Sequence, residues 1–522
     1  MSMVLREVPM FSKVNSMGLQ GFKAERVFVE CDLSNGLPRF DLVGLPDSAV
    51  SEAKERVRSA IKNCGLDFPI SRITINLAPA EFKKEGPLYD LPILVAILLA
   101  SKQVKVNLDC ATLVGEVALN GDLRKVNGIL PMVLRAKELG IDEVYIPEEN
   151  GQEAALIPDI TIFPVRSIRQ LIAHFSGLES IEPIRNFSFD EIKDVYGKAN
   201  ALDDYADVLG QRLAKRALEI AAAGGHNLLL VGSPGAGKSM LAKRLPSILP
   251  DMTFEEAIST SSIYSVAGLL SKENPLIINR PFRSPHHTTT GVAFAGGGTK
   301  ARPGEVSLAH NGVLFLDELP LFSRATLETL RQPLEDGRIT VTRNAFTATY
   351  PGNIMLVCAM NPCPCGYLFD PVHECTCTDV ARQRYISRIS GPLLDRIDIC
   401  VKVDPLDADV LIDHPRGHEE SSSDIRARVN KARAIQLERF AGTDIVCNAQ
   451  MTPRMVRTYC ELSPPAKELM RAAFKSLSFS ARANDKILRT ARTIADLSGS
   501  IDICENHLSE AIQFKRMDII SK

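Results

Sequence analysis

The residues best suited to chemistry lie in one stretch, Gly232, Ser233, Pro234, Gly235, Ala236, Gly237, Lys238 and Ser239. Their spacing, G-x-x-x-x-G-K-S, suits a nucleoside triphosphate. Glycines let backbone N–H groups approach phosphate oxygens with no Cβ in the way. Lys238 would reach the β- and γ-phosphates of ATP, and Ser239 would ligate Mg2+. An acidic pair, Asp317-Glu318, follows the apolar run Gly312–Leu316. It would sit at the C-terminal edge of a buried strand, where open α/β sheets bind ligands. There Asp317 would join the Mg2+ shell and Glu318 would orient the attacking water. Asn361 follows a third apolar run, Asn353–Ala359. It could position that water or cap a turn before Pro362; the residue alone leaves both open.

Two further groups invite chemistry. Cys363, Cys365, Cys375 and Cys377 form CxC-x9-CxC. Four thiols can close a tetrahedral Zn2+ site, although CxxC is the usual spacing. His373 could replace one thiolate, and reduced buried cysteines or a redox switch are the alternatives. Between Arg280 and Gly304 there is no acid, while Arg283, His286, His287, Lys300 and Arg302 accompany three consecutive glycines. Clustered cations on flexible chain suit a loop that tracks a DNA backbone. Ile339–Tyr350 alternates at period two around Asn344, predicting a β-hairpin with Arg343 near its tip. Arg283, Lys300 and Arg343 are therefore candidate phosphate contacts; a solvated loop and an edge hairpin are the plain alternatives.

These groups need elements to hold them. Leu228–Val231 reads as a strand entering the glycine-rich loop and Met240–Leu245 as the helix leaving it. Alternating strand and helix signals over 206–410 argue for a parallel α/β sheet. Residues 1–175 read as a separate mixed α/β domain, with β-rich runs at Arg26–Cys31, Ile73–Leu77, Thr112–Val117 and Glu143–Ile146. Helical stretches fall at Ser48–Lys62 and Leu130–Leu139. The polar stretch 176–205 reads as a linker. Over 420–522 the pattern is helical, with Ser423-Asp424 as a cap and helices at Pro465–Leu477, Ala483–Leu497 and Ser509–Met517.

Composition bounds the function. The chain has 522 residues, 45% apolar and 24% charged, so it is neither disordered nor fibrous. Its 61 Lys+Arg and 63 Asp+Glu nearly cancel, so any nucleic-acid contact must be a local patch. The longest apolar run, Leu91–Ala100, is too short for a membrane span of about 20 residues and reads as core. No signal-peptide pattern opens the chain, which predicts a cytoplasmic protein. Twelve cysteines in that compartment argue against a disulfide framework.

GSPGAGKS, GVLFLDEL, CAMNPCPCG and SGPLLDRID, in that order, resemble the magnesium-chelatase-like branch of the AAA+ ATPases. The resemblance implies that Asn361 is sensor 1. It implies that Arg396 is an arginine finger reaching a neighbouring subunit, and that Arg482, or else Arg489, is sensor 2. A finger acting in trans implies a ring, as a hexamer. EGPLYD and the stretch from Gly115 to Pro147 resemble the Lon-protease-type domain, with Leu88 and Met132 where that family carries Ser and Lys. Neither can serve as nucleophile or base. Together the three parts are similar to the bacterial ComM/YifB group. That resemblance implies an ATP-driven, ring-forming branch-migration helicase acting on branched, single- or double-stranded DNA during natural transformation. A magnesium-chelatase-type metal-insertion subunit and a non-catalytic DNA-binding regulator are the rival readings.

Overall fold

A computed structural model describes residues 10–196, 203–271, 273–298, 302–343, 346–368, 370–371, 373–405, 419–477 and 480–515. The chain folds into two compact units. The first comprises Met1–Lys198, Phe254–Ile278 and Thr342–Thr349, and the second the remainder.

In the first unit a long hairpin, Met10–Gln20 and Lys23–Ser34, pairs antiparallel from Met10↔Leu33 to Gln20↔Lys23. Arg72–Ala78 adds antiparallel to Lys23–Ser34, and Arg39–Val43 adds parallel to Arg72–Ala78. A second sheet is wholly parallel: Ala111–Leu113, Glu143–Pro147 and Thr161–Val165. The apolar run expected to be core is the helix Asp90–Ala100, with all but one residue buried. Apolar side chains on every face leave such a helix no solvent side. Leu88 and Met132 are buried apolar residues here.

The helix Phe254–Ala267, which lies inside the 206–410 stretch of the sequence, belongs to this first unit. Gly128 N–H donates to Ser265 O at 3.0 Å, and Leu130 N–H donates to the buried Glu153 carboxylate at 3.2 Å. Ser265 Oγ–H also donates to Glu153. Part of the expected linker is ordered too: Phe189–Tyr196 is a helix, and Ile184 bridges to Ile162.

The second unit carries a five-stranded parallel sheet in the order Phe282–Arg283, Val313–Leu316, Met355–Met360, Leu228–Gly232, Ile399–Val403. Every residue of the three inner strands is buried. Continuous apolar runs are what strands covered on both faces require. The next two strands of this sheet after the phosphate loop lie beyond Met355–Met360, so the chain crosses over before that strand is inserted between them and Leu228–Gly232. Helices follow from Ser422: Ser422–Arg439, Pro453–Tyr459, Pro464–Leu477, Ala481–Leu497 and Glu505–Lys515. The cap of the first is Ser421, whose Oγ accepts from Asp424 N–H, rather than Ser423-Asp424. Among the described residues no helix is long and apolar enough to cross a membrane.

The helical region is pinned by a buried carboxylate. Asp496 accepts from Arg439 Nη1 and Nη2 at 2.8 and 2.5 Å, from Arg492 Nε at 3.1 Å and from Asn448 Nδ2 at 2.8 Å. Removing one partner of a buried ion pair strands the other charge, which costs about 3–5 kcal/mol. Asp496→Ala is expected to lose that much in urea denaturation of the full chain, followed by helical circular dichroism. A loss below about 1 kcal/mol would mean that the two arginines reach water, as surface pairs do.

Candidate active site

The strand Leu228–Gly232 ends at the glycine-rich loop, and the helix Lys238–Arg244 begins where the loop ends. Gly235 and Gly237 have φ of +80° and +92°, a region closed to most side chains. Between them the backbone turns inward. Lys238 is buried, and its Nζ donates to Gly232 O and Ser233 O at 2.8 Å and to Asn361 Oδ1 at 3.1 Å. Burial pushes its pKa down against the pull of Asp317 and Glu318. The loop therefore carries a caged ammonium at its centre.

Asp317 and Glu318 follow the strand Val313–Leu316, as expected for the edge of the sheet. Ser239 Oγ–H donates to Asp317 Oδ2 at 2.6 Å. A hydroxyl and a carboxylate converging this closely fit a hard divalent cation such as Mg2+, which favours oxygen ligands. When bound with a triphosphate, Mg2+ would neutralise charge on the β- and γ-oxygens. Asp317 Oδ1 accepts from Glu318 N–H at 3.0 Å. Glu318 adopts φ +53°, ψ +48°, a left-handed conformation that costs a non-glycine residue about 1–3 kcal/mol. Its carboxylate is exposed and lies 3.9 Å from His287 Nδ1. It is thus presented toward solvent, where a water could be polarised.

Lys238, Ser239, Asp317 and Asn361 come together through direct bonds, with Glu318 alongside Asp317. Arg396 and Arg482 do not join them. The Arg396 guanidinium bonds to Glu335 and to Pro392 O, at 2.5 Å for the latter. Its backbone O accepts from Asn227 Nδ2 at 3.0 Å, and Asp398 Oδ2 accepts from Asn227 N–H at 3.0 Å. Lys486 Nζ, on the helix Ala481–Leu497, reaches Asp398 Oδ1 at 2.8 Å. Burial pushes the Asp398 carboxyl up, yet Lys486 and then His226 outweigh it and hold it well below the usual carboxylate range. Arg482 is exposed, with no ion-pair partner among the described residues, and Arg489 Nη1 donates to Ala449 O at 3.3 Å.

The basic stretch is not one loop. Phe282–Arg283 is the edge strand of the parallel sheet, and Arg283 makes a bidentate pair with Glu305 at 2.7 and 2.8 Å. That glutamate stands one residue past the acid-free window, so a count of acids inside the window misses it. Arg280 donates to Pro250 O, Asn311 O and Asp251 O. Gly296–Gly297 pairs with Arg302–Pro303, and Arg302 is exposed. Lys300 lies outside the described residues. Arg338–Arg343 and Phe346–Pro351 form the expected hairpin; the Arg343 side chain is outside the described residues.

The Sγ atoms of Cys363, Cys365, Cys375 and Cys377 lie within 4.8 Å of one another. His373 is not among them: its Nδ1 lies 3.1 Å from Asp370 Oδ1, and its ring sits 4.8 Å from that of Tyr367. Two contacts at the site were not foreseen from the sequence. Gln211 Nε2 donates to Ala236 O at 3.4 Å and to Asp404 O at 2.6 Å. Gln211 sits in no motif, and no local spacing marks it.

Family models for magnesium chelatase subunit ChlI match residues 204–411, those for subunit ChlI of Mg-chelatase match 29–150, and those for the ChlI C-terminal region match 419–515. The chain is 42% identical to Competence protein ComM of Haemophilus influenzae over 509 residues, 97% of each chain. It is 41% identical to Uncharacterized protein YifB of Salmonella typhimurium, again over 97% of each. A shorter likeness, 28% over 134 residues, covers 24% of this chain and 16% of a Lon protease from Chloroherpeton thalassium.

Lys238→Ala is expected to cut ATP turnover by about 10²–10³-fold, because it removes the cation at the centre of the loop. Glu318→Gln is expected to keep ATP affinity and lose turnover. Equilibrium nucleotide binding and phosphate release on the same preparations separate the two effects. Wild-type turnover in either variant would remove that residue from the reaction.

Proposed function

The chain belongs to the ComM/YifB group of magnesium-chelatase-like AAA+ ATPases, and from that premise we propose that it is a ring-forming motor that moves DNA strands. Its reaction is ATP hydrolysis with Mg2+, and its work is branch migration as taken-up DNA is integrated in natural transformation. The observation that carries the DNA reading is the near full-length likeness to Competence protein ComM. The convergence of Lys238, Ser239, Asp317 and Asn361 supports the hydrolysis it requires.

In this reading Asn361 is sensor 1, Arg482 is sensor 2 and Arg396 is the finger. Glu335 and Pro392 hold the Arg396 guanidinium in the single chain. A neighbour's γ-phosphate, carrying more charge than one carboxylate, would draw it away in a hexamer. Leu88 and Met132 leave the Lon-like domain at 1–175 without peptidase chemistry; 176–205 connects it to the ATPase core at 206–410 and the helical lid at 420–522. Zn2+ on Cys363, Cys365, Cys375 and Cys377 belongs to the same reading, as does a cytoplasmic location. Lys300, Arg302 and Arg343 contact phosphates, and Arg283 does so only where phosphate displaces Glu305. A second reading, a metal-insertion subunit acting on a tetrapyrrole complex, draws on the description of the matching family models.

Strand exchange on a labelled three- or four-way DNA junction separates the two readings. ATP-dependent exchange is expected from the wild-type chain and none from Glu318→Gln. ATP turnover without any exchange, on any junction, would remove the DNA reading. Mixing Arg396→Ala with Lys238→Ala subunits is expected to restore part of the lost turnover, since one supplies the site and the other the finger. No rescue in subunits shown to co-assemble would count against a shared site. Neutralising Lys300, Arg302 and Arg343 is expected to lower the slope of log affinity against log salt by about one unit per lost contact, equally on unrelated sequences. An unchanged slope would place these residues away from the DNA.

A further inference from the structure

The chain around the four cysteines does more than bring thiols together. Cys363 Sγ lies 3.3 Å from Cys365 Sγ and 3.7 Å from Cys375 Sγ, and Cys365 Sγ lies 3.6 Å from Cys375 Sγ. Tetrahedral Zn2+ with Zn–S of about 2.3 Å requires S···S separations of about 3.8 Å. The sulfurs are therefore spaced for that ion while unbridged, and all four are free thiols. The backbone closes the first turn of this segment, with Gly366 N–H donating to Cys363 O at 3.0 Å.

This knuckle touches the phosphate loop. Gly366 has φ +89°, and a Cβ built on it would meet Pro234 Cδ at 2.6 Å and Cγ at 2.7 Å. The same Cβ would lie 3.8 Å from Asn361 Nδ2. Pro234 is a residue of the phosphate loop, and Asn361 holds Lys238. The Gly366 backbone is thus wedged against the two pieces that frame the buried ammonium.

We propose that one Zn2+ bound by Cys363, Cys365, Cys375 and Cys377 makes this knuckle a rigid brace for the phosphate loop, so that ATP turnover depends on the metal. This rests on the zinc assignment above and is independent of the DNA reading. Without the ion, only weak S–H···S contacts draw these thiols together. Pro234 and Asn361 would then lose their backstop. A displacement of about 1 Å at a catalytic group costs turnover about a hundredfold.

The test uses the full-length chain purified without chelator, with metal content read by elemental analysis and turnover read without DNA. About one zinc per chain is expected. Substoichiometric zinc of about a tenth or less would overturn the metal site. The double variant Cys375→Ser, Cys377→Ser is expected to lose the zinc and to lower turnover by about ten- to a hundredfold, with its circular dichroism unchanged. Zinc-free variant protein turning over at the wild-type rate would overturn the brace and leave the zinc assignment standing. Gly366→Ala keeps all four thiols and sets a Cβ against Pro234. It is expected to retain zinc and still lose turnover, and it decides the question if the double variant does not fold. Full turnover in Gly366→Ala would overturn the brace.

Discussion

A lysine ammonium that has left water must be met by oxygen atoms, because an unpaired buried charge is among the costliest things a fold can hold. Much of the second unit can be understood from that constraint at Lys238. Two carbonyls of the loop and the amide oxygen of Asn361 meet it. The first two acceptors require the backbone to curl, which is why glycines stand at 235 and 237. The third requires the strand Met355–Met360 to lie beside Leu228–Gly232, ending at the same edge. Asp317 arrives there because its strand is the next one out. To reach a triphosphate, the ammonium would exchange these three acceptors for phosphate oxygens, since a lysine has three N–H donors and all three are engaged.

The rest of the unit ties other pieces to that edge. Asn227, one residue before the strand that enters the loop, holds both Arg396 O and the Asp398 carboxylate. Lys486 grips the same carboxylate from the helix Ala481–Leu497. His226 stands 3.8 Å from Asp398 and bonds to Thr493 of that helix. These bonds tie that helix to the segment that carries Arg396. In the proposed ring, this gives the helical region a physical route to the finger, through a buried ion pair rather than through a long chain of packed residues. Buried pairs suit such a link, because partial separation leaves charge without water and the pair moves as one body.

The first unit has the opposite character. Its helix Asp90–Ala100 is buried almost throughout, with the Asp90 carboxylate paired to Arg56. Leu88 and Met132 are buried in its interior. Polar groups there are paired inward: Glu153 is satisfied by Ser265, Leu130 N–H and Asn150.

The glycine-rich loop, the acidic strand end, the asparagine after the third strand and the helical C-terminal region were all legible in the sequence, because each is local. Glycine positions, an apolar run and the residue after it specify such features within a few neighbours. The four cysteines were legible as a set for the same reason. What local spacing could not reveal were partners distant along the chain. Arg283 looked free in an acid-poor window and is bound by Glu305 across a turn. Nearer by, His373 sat among the cysteines and pairs with Asp370 three residues away, a choice between near neighbours that spacing alone leaves open. Phe254–Ala267 follows the phosphate-loop segment in sequence and packs in the first unit, since its small and apolar residues on all sides fit more than one neighbour. Gly366 is an ordinary turn glycine until the fold brings Pro234 against it. Sequence determines which groups can do chemistry; the tertiary structure decides which of their charges are already spent on each other.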